Sequence, residues 1–213
     1  MNNTRIQNFR ARYRATISPR YDARLHAGFV FGFGVCYLIY QSMQLTAVQS
    51  WQWLALPFGL VFFNFLIYFI HRDLGHVKRR CGRLFYKRHT GDHHSFFSDI
   101  EYHFERTQDF RVILFPPALI ILGCGLGSLF LFVSPWDGNA PRLFIIACVL
   151  GYLLYEFFHA CHHLPDHYAI TRWPWFKQMR EWHRTHHHAQ STHRNYNLVL
   201  PLADYVMRTH QKR

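Results

Sequence analysis

Stretches of this chain run apolar for longer than a buried core helix needs. No charged residue occurs between Arg24 and Arg72, and none occurs between Arg111 and Asp137. A helix that crosses a bilayer takes about 20 predominantly apolar residues, so the first interval holds two spans and the second holds one. A further apolar run follows from about Leu143. The pattern predicts spans over 27–45, 53–70, 112–133 and 143–158. Turn-forming residues separate each pair: Gln49 to Gln52 in the first, and Ser134 to Arg142, with Pro135, Gly138 and Pro141, in the second. Trp51, Trp53 and Trp136 fall at these turns, where amphipathic indoles favour a membrane interface, and Trp173, Trp175 and Trp182 are placed to form the matching belt. Pro116 and Pro117 fall near the start of the third span, where first-turn amides lack helical partners in any case.

Four spans put both termini on one side, together with residues 71–111. The segments 1–26, 71–111 and 159–213 hold every Lys and Arg except Arg142, in a chain with 24 Lys+Arg against 12 Asp+Glu. By the positive-inside rule that side is cytoplasmic. The expected fold is all-α: an integral-membrane four-helix transmembrane bundle over residues 27–213, with a cytosolic helical histidine-rich cap formed by 71–111 and 159–213. A basic segment, residues 1–26, precedes it and carries Arg5, Arg10, Arg12, Arg14, Arg20 and Arg24. The span behind it is too long for a signal-peptide core, and no small-residue cleavage site follows. Its arginines either set topology or attract anionic lipid or an acidic partner. With no lysine-based retrieval signal at residues 210–213, a multi-pass protein of the bacterial inner membrane is favoured over one of the endoplasmic reticulum. Of the five cysteines three lie in spans, and Cys81 and Cys161 lie on the reducing face, so no disulfide framework is expected.

The polar segments change the picture most. All seventeen histidines fall outside the four predicted spans. Ten are clustered as His71-x4-His76, His89-x3-His93-His94, His159-x3-His163 and His183-x2-His186-His187. A tetrahedral metal site takes four protein ligands and a catalytic one usually fewer, so ten imidazoles imply two ions. Helical residues three and four apart share a face. His89 with His93, His159 with His163, and His183 with both His186 and His187 are therefore expected to point together. His71 and His76 can serve one centre only if the helix distorts or ends near Gly75. His103, His162, His188 and His193 are adjacent spares.

Imidazole suits iron, zinc and copper, whereas magnesium and calcium want oxygen ligands. A pair of ions held by histidine with open positions is suited to binding dioxygen. Soluble di-iron bundles use Glu residues and two Glu-x-x-His motifs; only Glu156 and His159 match that pattern here. Metal-bound histidines give their second N–H to a carboxylate or carbonyl. Asp73, Asp92, Asp99, Asp109, Glu156, Asp166 and Asp204 are the available acids. Glu156, one turn before His159, is the most pointed; Asp109 either supports the centre or forms a structural ion pair with Arg111. A metal carrier would need polar residues along a path through the bilayer, and the spans offer only Gln41, Gln44, Asn64 and scattered hydroxyls.

The four clusters in this order resemble those of the fatty acid hydroxylase superfamily, which includes membrane sterol desaturases and sphingolipid and fatty acid hydroxylases. Asp109-Phe-Arg111-Val-Ile-Leu-Phe-Pro116-Pro117 is similar to the Asp-x-x-Arg-x-x-Phe-Pro-Pro of that family. Asn195-Tyr-Asn197, Pro201 and Asp204 resemble its tail. The likeness covers roughly residues 60–210. It implies that His71, His76, His89, His93, His94, His159, His163, His183, His186 and His187 bind two iron ions as Fe2+, positions that zinc also fits, with dioxygen as co-substrate. It further implies a non-haem lipid hydroxylase (monooxygenase) or a desaturase using the same site, acting on a fatty acyl, sphingolipid or sterol-like substrate. No nucleic-acid partner is expected. The stretch from His94 to Asp109 is longer than the family pattern and carries the extra His103. No cytochrome b5-like stretch is present, so electrons are expected from a separate ferredoxin or cytochrome b5 type donor with its reductase.

Overall fold

The computed structural model describes residues 3–134 and 138–212, and among them every regular element is helical. In chain order these are α1 (Asn3–Ala15), α2 (Ala23–Met43), α3 (Ala55–Phe69), α4 (Arg83–Tyr86), α5 (His94–Phe96), α6 (Phe110–Ile113), α7 (Ala118–Val133), α8 (Asn139–His162), α9 (Pro174–His186) and α10 (Leu202–Val206). Two π-helical segments, Ile70–Gly75 and Lys87–His93, interrupt the α pattern. Trp136 of the expected interface belt lies outside the described residues.

Among the described residues three helical stretches are long and apolar enough to cross a membrane: Ala23–Met43, Ser50–Gly75 and Asn139–His162. The third predicted span, 112–133, is broken. Helical residues 107–113 and α7 meet at a 43° bend, and α7 alone, at 16 residues, rises only about 24 Å against a hydrocarbon core of about 30 Å. The cause is Pro116 and Pro117, which are not first-turn residues of a longer helix. A residue before proline is pushed out of the α region, Leu114 is already extended at φ −72° and ψ 142°, and α7 restarts with Pro117 as its N-cap. A fourth span exists only if the bent pair counts as one.

The chain divides into two compact units, and two of the four boundaries fall inside α3 and α8. One comprises residues 24–64 and 115–156. Its core is Val30, Ile120, Cys124, Ile145, Val149 and Leu153. α3 and α8 approach so closely at Gly59 that a Cβ there would meet Ala147 Cβ at 2.7 Å and the Phe144 carbonyl at 2.8 Å; small residues permit this backbone contact. Asn139 ties the two turns together, accepting from Thr46 N (3.0 Å) and donating to Thr46 O (2.8 Å) and Gln52 Oε1 (3.1 Å). Arg142 donates to Gln41 at 2.8 Å, so the one basic residue of that end is engaged. The outer faces stay apolar: Phe29, Phe33 and Ile39 on α2, and Leu122, Leu126, Leu129 and Phe132 on α7, are exposed. Water-soluble monomers rarely leave apolar patches of this extent uncovered, and hydrocarbon suits them.

The other unit comprises residues 1–23, 65–114 and 157–213. α9 begins with Pro174 at its first turn, where the missing amide costs little. It buries Phe176, Met179, Arg180, Trp182, His183 and His186 on one stripe at helical spacing. Trp182 belongs to this interior, packed on His210 at 4.3 Å between ring centres, and does not join the expected belt. α1 also differs from expectation, because Arg10 is only 1% exposed and Arg14 grips Asp109 with two bonds of 2.8 and 2.7 Å. These two arginines are interior clamps, with partners about ninety residues away that no local pattern announces.

Candidate metal centre

All ten clustered histidines lie in this second unit, and they converge. One group is His71, His76, His89, His94 and His186; the other is His93, His159, His163 and His183. Within each group the candidate ligand atoms lie within 4.8 Å of one another. His187 borders the second group, its Nε2 at 3.2 Å from that of His93 and 3.1 Å from that of His183. The groups abut, with the His94 and His187 rings stacked at 4.3 Å.

The π-helical turns explain how residues five apart reach one centre. At roughly 100° per residue, an α-helix would aim His71 and His76 about 140° apart. Widening by the i to i+5 bonds of the π turn Ile70–Gly75 turns His76 round toward His71, although the His76 amide itself, just past the turn, bonds the Arg72 carbonyl. The same device acts at His89 and His94, where the His94 amide bonds the His89 carbonyl. Gly75 lies against the rings so gained: a Cβ there would stand 3.0 Å from His89 Cδ2 and 3.4 Å from His71 Cδ2. The α-helical pairing expected from sequence fails in two places. His89 and His93 part to different groups, and so do His183 and His186, the latter on the uninterrupted α9; His159 stays with His163, and His187 stays beside His183.

Hydrogen bonds fix which ring nitrogen is bare. His71 Nδ1 donates to Tyr196 O and His186 Nδ1 to Arg194 O, each at 2.6 Å. His163 Nδ1 donates to Tyr102 O at 2.8 Å, while His93 Nδ1 reaches Val112 O and His187 Nδ1 reaches Phe97 O, both at 3.2 Å. His183 Nδ1 meets the Tyr102 hydroxyl at 2.7 Å. A carbonyl can only accept, so the first five rings carry their proton on Nδ1, and a neutral imidazole has just one. Their Nε2 atoms are lone pairs. Yet His71 and His186 bring Nε2 to Nε2 at 3.1 Å, and His93 and His187 do so at 3.2 Å. His163 Nε2 is buried with no hydrogen-bond partner.

Extra protons do not relieve these contacts. Burial, first among the causes in each case, holds His89, His94, His163, His183, His186 and His187 well below the usual histidine range. It pushes His93 down to about 3 and His76 down to about 2. Buried lone pair against lone pair is unfavourable unless a cation lies between them. Metal–imidazole bonds of about 2.0–2.1 Å place adjacent ligand nitrogens about 3 Å apart, which is the spacing found. The donor set fits two ions.

The support for these rings differs from expectation in kind. The notable acids are occupied elsewhere: Asp109 by Arg14 and by the amides of Glu105 and Arg106, and Glu156 by the Tyr152 hydroxyl at 2.7 Å and the Phe115 amide at 3.3 Å. Asp109 is thus paired with Arg14, not Arg111. Carbonyls of Phe97, Tyr102, Val112, Arg194 and Tyr196 hold the rings, and carbonyls leave no mark in a sequence; the Tyr102 hydroxyl on His183 and the Thr90 hydroxyl, 3.5 Å from His76, are side-chain partners that a search of hydroxyls could have found. Asp204 acts one step behind, accepting from Tyr196 N (2.9 Å), Asn197 N (2.8 Å) and Thr209 Oγ1 (2.7 Å). Of the spare histidines, His103 contacts Arg180 and Asp166, and His162 is buried with its ring 5.2 Å from that of His183. The five cysteines are free thiols, and none belongs to either group.

Fold and site together define a helical protein with apolar helices long enough to cross a membrane and two adjoining histidine groups that could hold metal ions. A family model described as fatty acid hydroxylase matches residues 56–209, and the chain belongs to that family. Among curated proteins and among solved structures, none matches the chain.

Proposed function

We propose that the chain is a membrane-bound, dioxygen-dependent di-iron oxidoreductase that hydroxylates a lipid at a C–H bond, using electrons from a separate protein. The observation that supports it most directly is the pair of bare-nitrogen contacts, His71 with His186 in the first histidine group and His93 of the second with the bordering His187, which bound cations would relieve. Imidazole donors suit iron, zinc and copper, and iron supplies the redox chemistry with dioxygen that oxidation of an unactivated C–H bond needs. His71, His76, His89, His94 and His186 would hold one ion. His93, His159, His163 and His183 would hold the other, with His187 beside them. The Nδ1 bonds to carbonyls keep each ring in one tautomer and orientation. Phe97, stacked on His163 at 4.1 Å, and the buried Tyr102 keep water from the second group.

The topology that goes with this reading is four passages, the bent pair counted as one, with the histidine-bearing unit and both termini cytoplasmic. The basic character of that side would draw an acidic donor of ferredoxin or cytochrome b5 type, by an attraction that salt weakens. The same donor set serves desaturation, and the product separates the two outcomes. Cells expressing the protein and supplied with labelled dioxygen should accumulate a lipid alcohol carrying the label. An alkene product with label only in water would assign a desaturase, and an unchanged lipid pool with fully metallated protein would contradict the proposal.

A further inference from the structure

Residues 97–105 supply three of the Nδ1 contacts of the second histidine side: Phe97 O to His187, Tyr102 O to His163 and the Tyr102 hydroxyl to His183. This stretch contains no α-helix, so something else must hold its carbonyls in place. Arg10 of α1 does. Its Nε donates to Phe96 O at 2.9 Å, Nη2 to Glu101 O at 2.7 Å and His103 O at 3.1 Å, and Nη1 to Glu105 Oε1 at 2.7 Å. The guanidinium lies 5.0 Å over the Phe96 ring, and Phe97 beside it stacks on His163. Arg14, one turn on, holds the far end through Glu105 and Asp109. A planar fork with five N–H donors can grip three carbonyls and a carboxylate at once; an ammonium cannot.

The first group is braced by other means. Its Nδ1 contacts go to Tyr196 O and Arg194 O, in the segment held by Asp204, and to Thr90 Oγ1 at 3.5 Å from His76. No described contact of Arg10 reaches that segment. α1 precedes the region matched by the family, residues 56–209.

We propose that Arg10 is a positioning residue for one metal of the two: through the 97–105 segment it fixes His163, His183 and His187, and the N-terminal helix is thereby part of the second metal site and not a topology signal alone. This rests on the dinuclear reading above. Losing an outer partner of a metal-bound histidine typically costs about 10–100-fold in metal affinity. The segment carries three such partners, so a loss of that size should fall on one ion and spare the other.

The experiment is anaerobic iron(II) titration of the purified full-length protein, with amide exchange followed in the metal-free state. Wild type should bind two ions per chain. Arg10→Gln should keep one at wild-type affinity and bind the second roughly 10–100-fold more weakly, with exchange faster at residues 97–105 and unchanged at 194–197. Arg10→Lys keeps the charge beside Glu105 without the fork and should fall between them; if Arg10→Gln does not fold, Arg10→Lys decides. Equal weakening of both ions in a folded variant, or wild-type binding with wild-type exchange at 97–105, overturns the proposal. If wild type itself holds fewer than two ions the dinuclear reading fails, and exchange at 97–105 still decides whether Arg10 holds the segment.

Discussion

Replacing Asp204 by Asn tests whether the C-terminal segment sets the first histidine group. The buried carboxylate accepts from Tyr196 N and Thr209 Oγ1 on one oxygen and from Asn197 N on the other. An amide can keep the first oxygen, but its NH2 then faces the Asn197 N–H, donor against donor. Losing a hydrogen bond to a charged acceptor and leaving a buried amide unpaired costs about 3 kcal/mol in all, or a fall of about 6–12 °C in Tm for a chain of this size. The local consequence matters more. Tyr196 O and Arg194 O, which fix the His71 and His186 rings at 2.6 Å, lose their anchor. Asp204→Asn should therefore weaken the first ion about 10–100-fold and leave the second near wild type, the converse of Arg10→Gln. Iron titration with parallel thermal melts in detergent reads both effects. A variant that melts lower yet binds both ions as wild type does would refute the reasoning, as would one that loses the second ion first.

Three further outcomes follow from the same geometry. The metal-free protein should lose stability as pH falls below about 6.5, because the unfolded chain takes up protons there while His76 (about 2) and His93 (about 3) stay neutral in the fold. Each such ring adds up to about 1.4 kcal/mol per pH unit between its unfolded and folded values, so Tm in chelator should be flat above neutrality and drop steeply in acid; a flat acid limb would contradict it. Gly75→Val should expel the first ion, since its Cβ would start 3.0 Å from His89 and the branched carbons reach further; normal metal content would refute the packing argument. Tyr102→Phe removes the hydroxyl at His183 Nδ1 but keeps the carbonyl on His163. It should weaken the second ion about 10-fold, and unchanged affinity would show that hydroxyl to be idle.

The ten histidines announce themselves in the sequence because spacing within a cluster is a local signal. Their sorting is not local. Spacing of three and four puts rings on one helix face without assigning them to one centre: His183 and His186 part on the uninterrupted α9, and the π turns at Ile70–Gly75 and Lys87–His93 reassign His76, His89 and His94. The apolar spans were legible from charge-free intervals, except where Pro116 and Pro117 break the third, since proline acts on the backbone of its neighbours more sharply than hydropathy records. Arg10 and Arg14 read as topology charges because their partners lie 86 to 95 residues away. The ring-orienting carbonyls were invisible for a simpler reason: every residue has one.

Iron X-ray absorption on the purified, iron-loaded protein, combined with metal analysis, tests the central claim most directly. Two ions per chain should be found, each in a shell dominated by imidazole nitrogen. A single ion, or a shell dominated by carboxylate oxygen or by sulfur, would contradict the account.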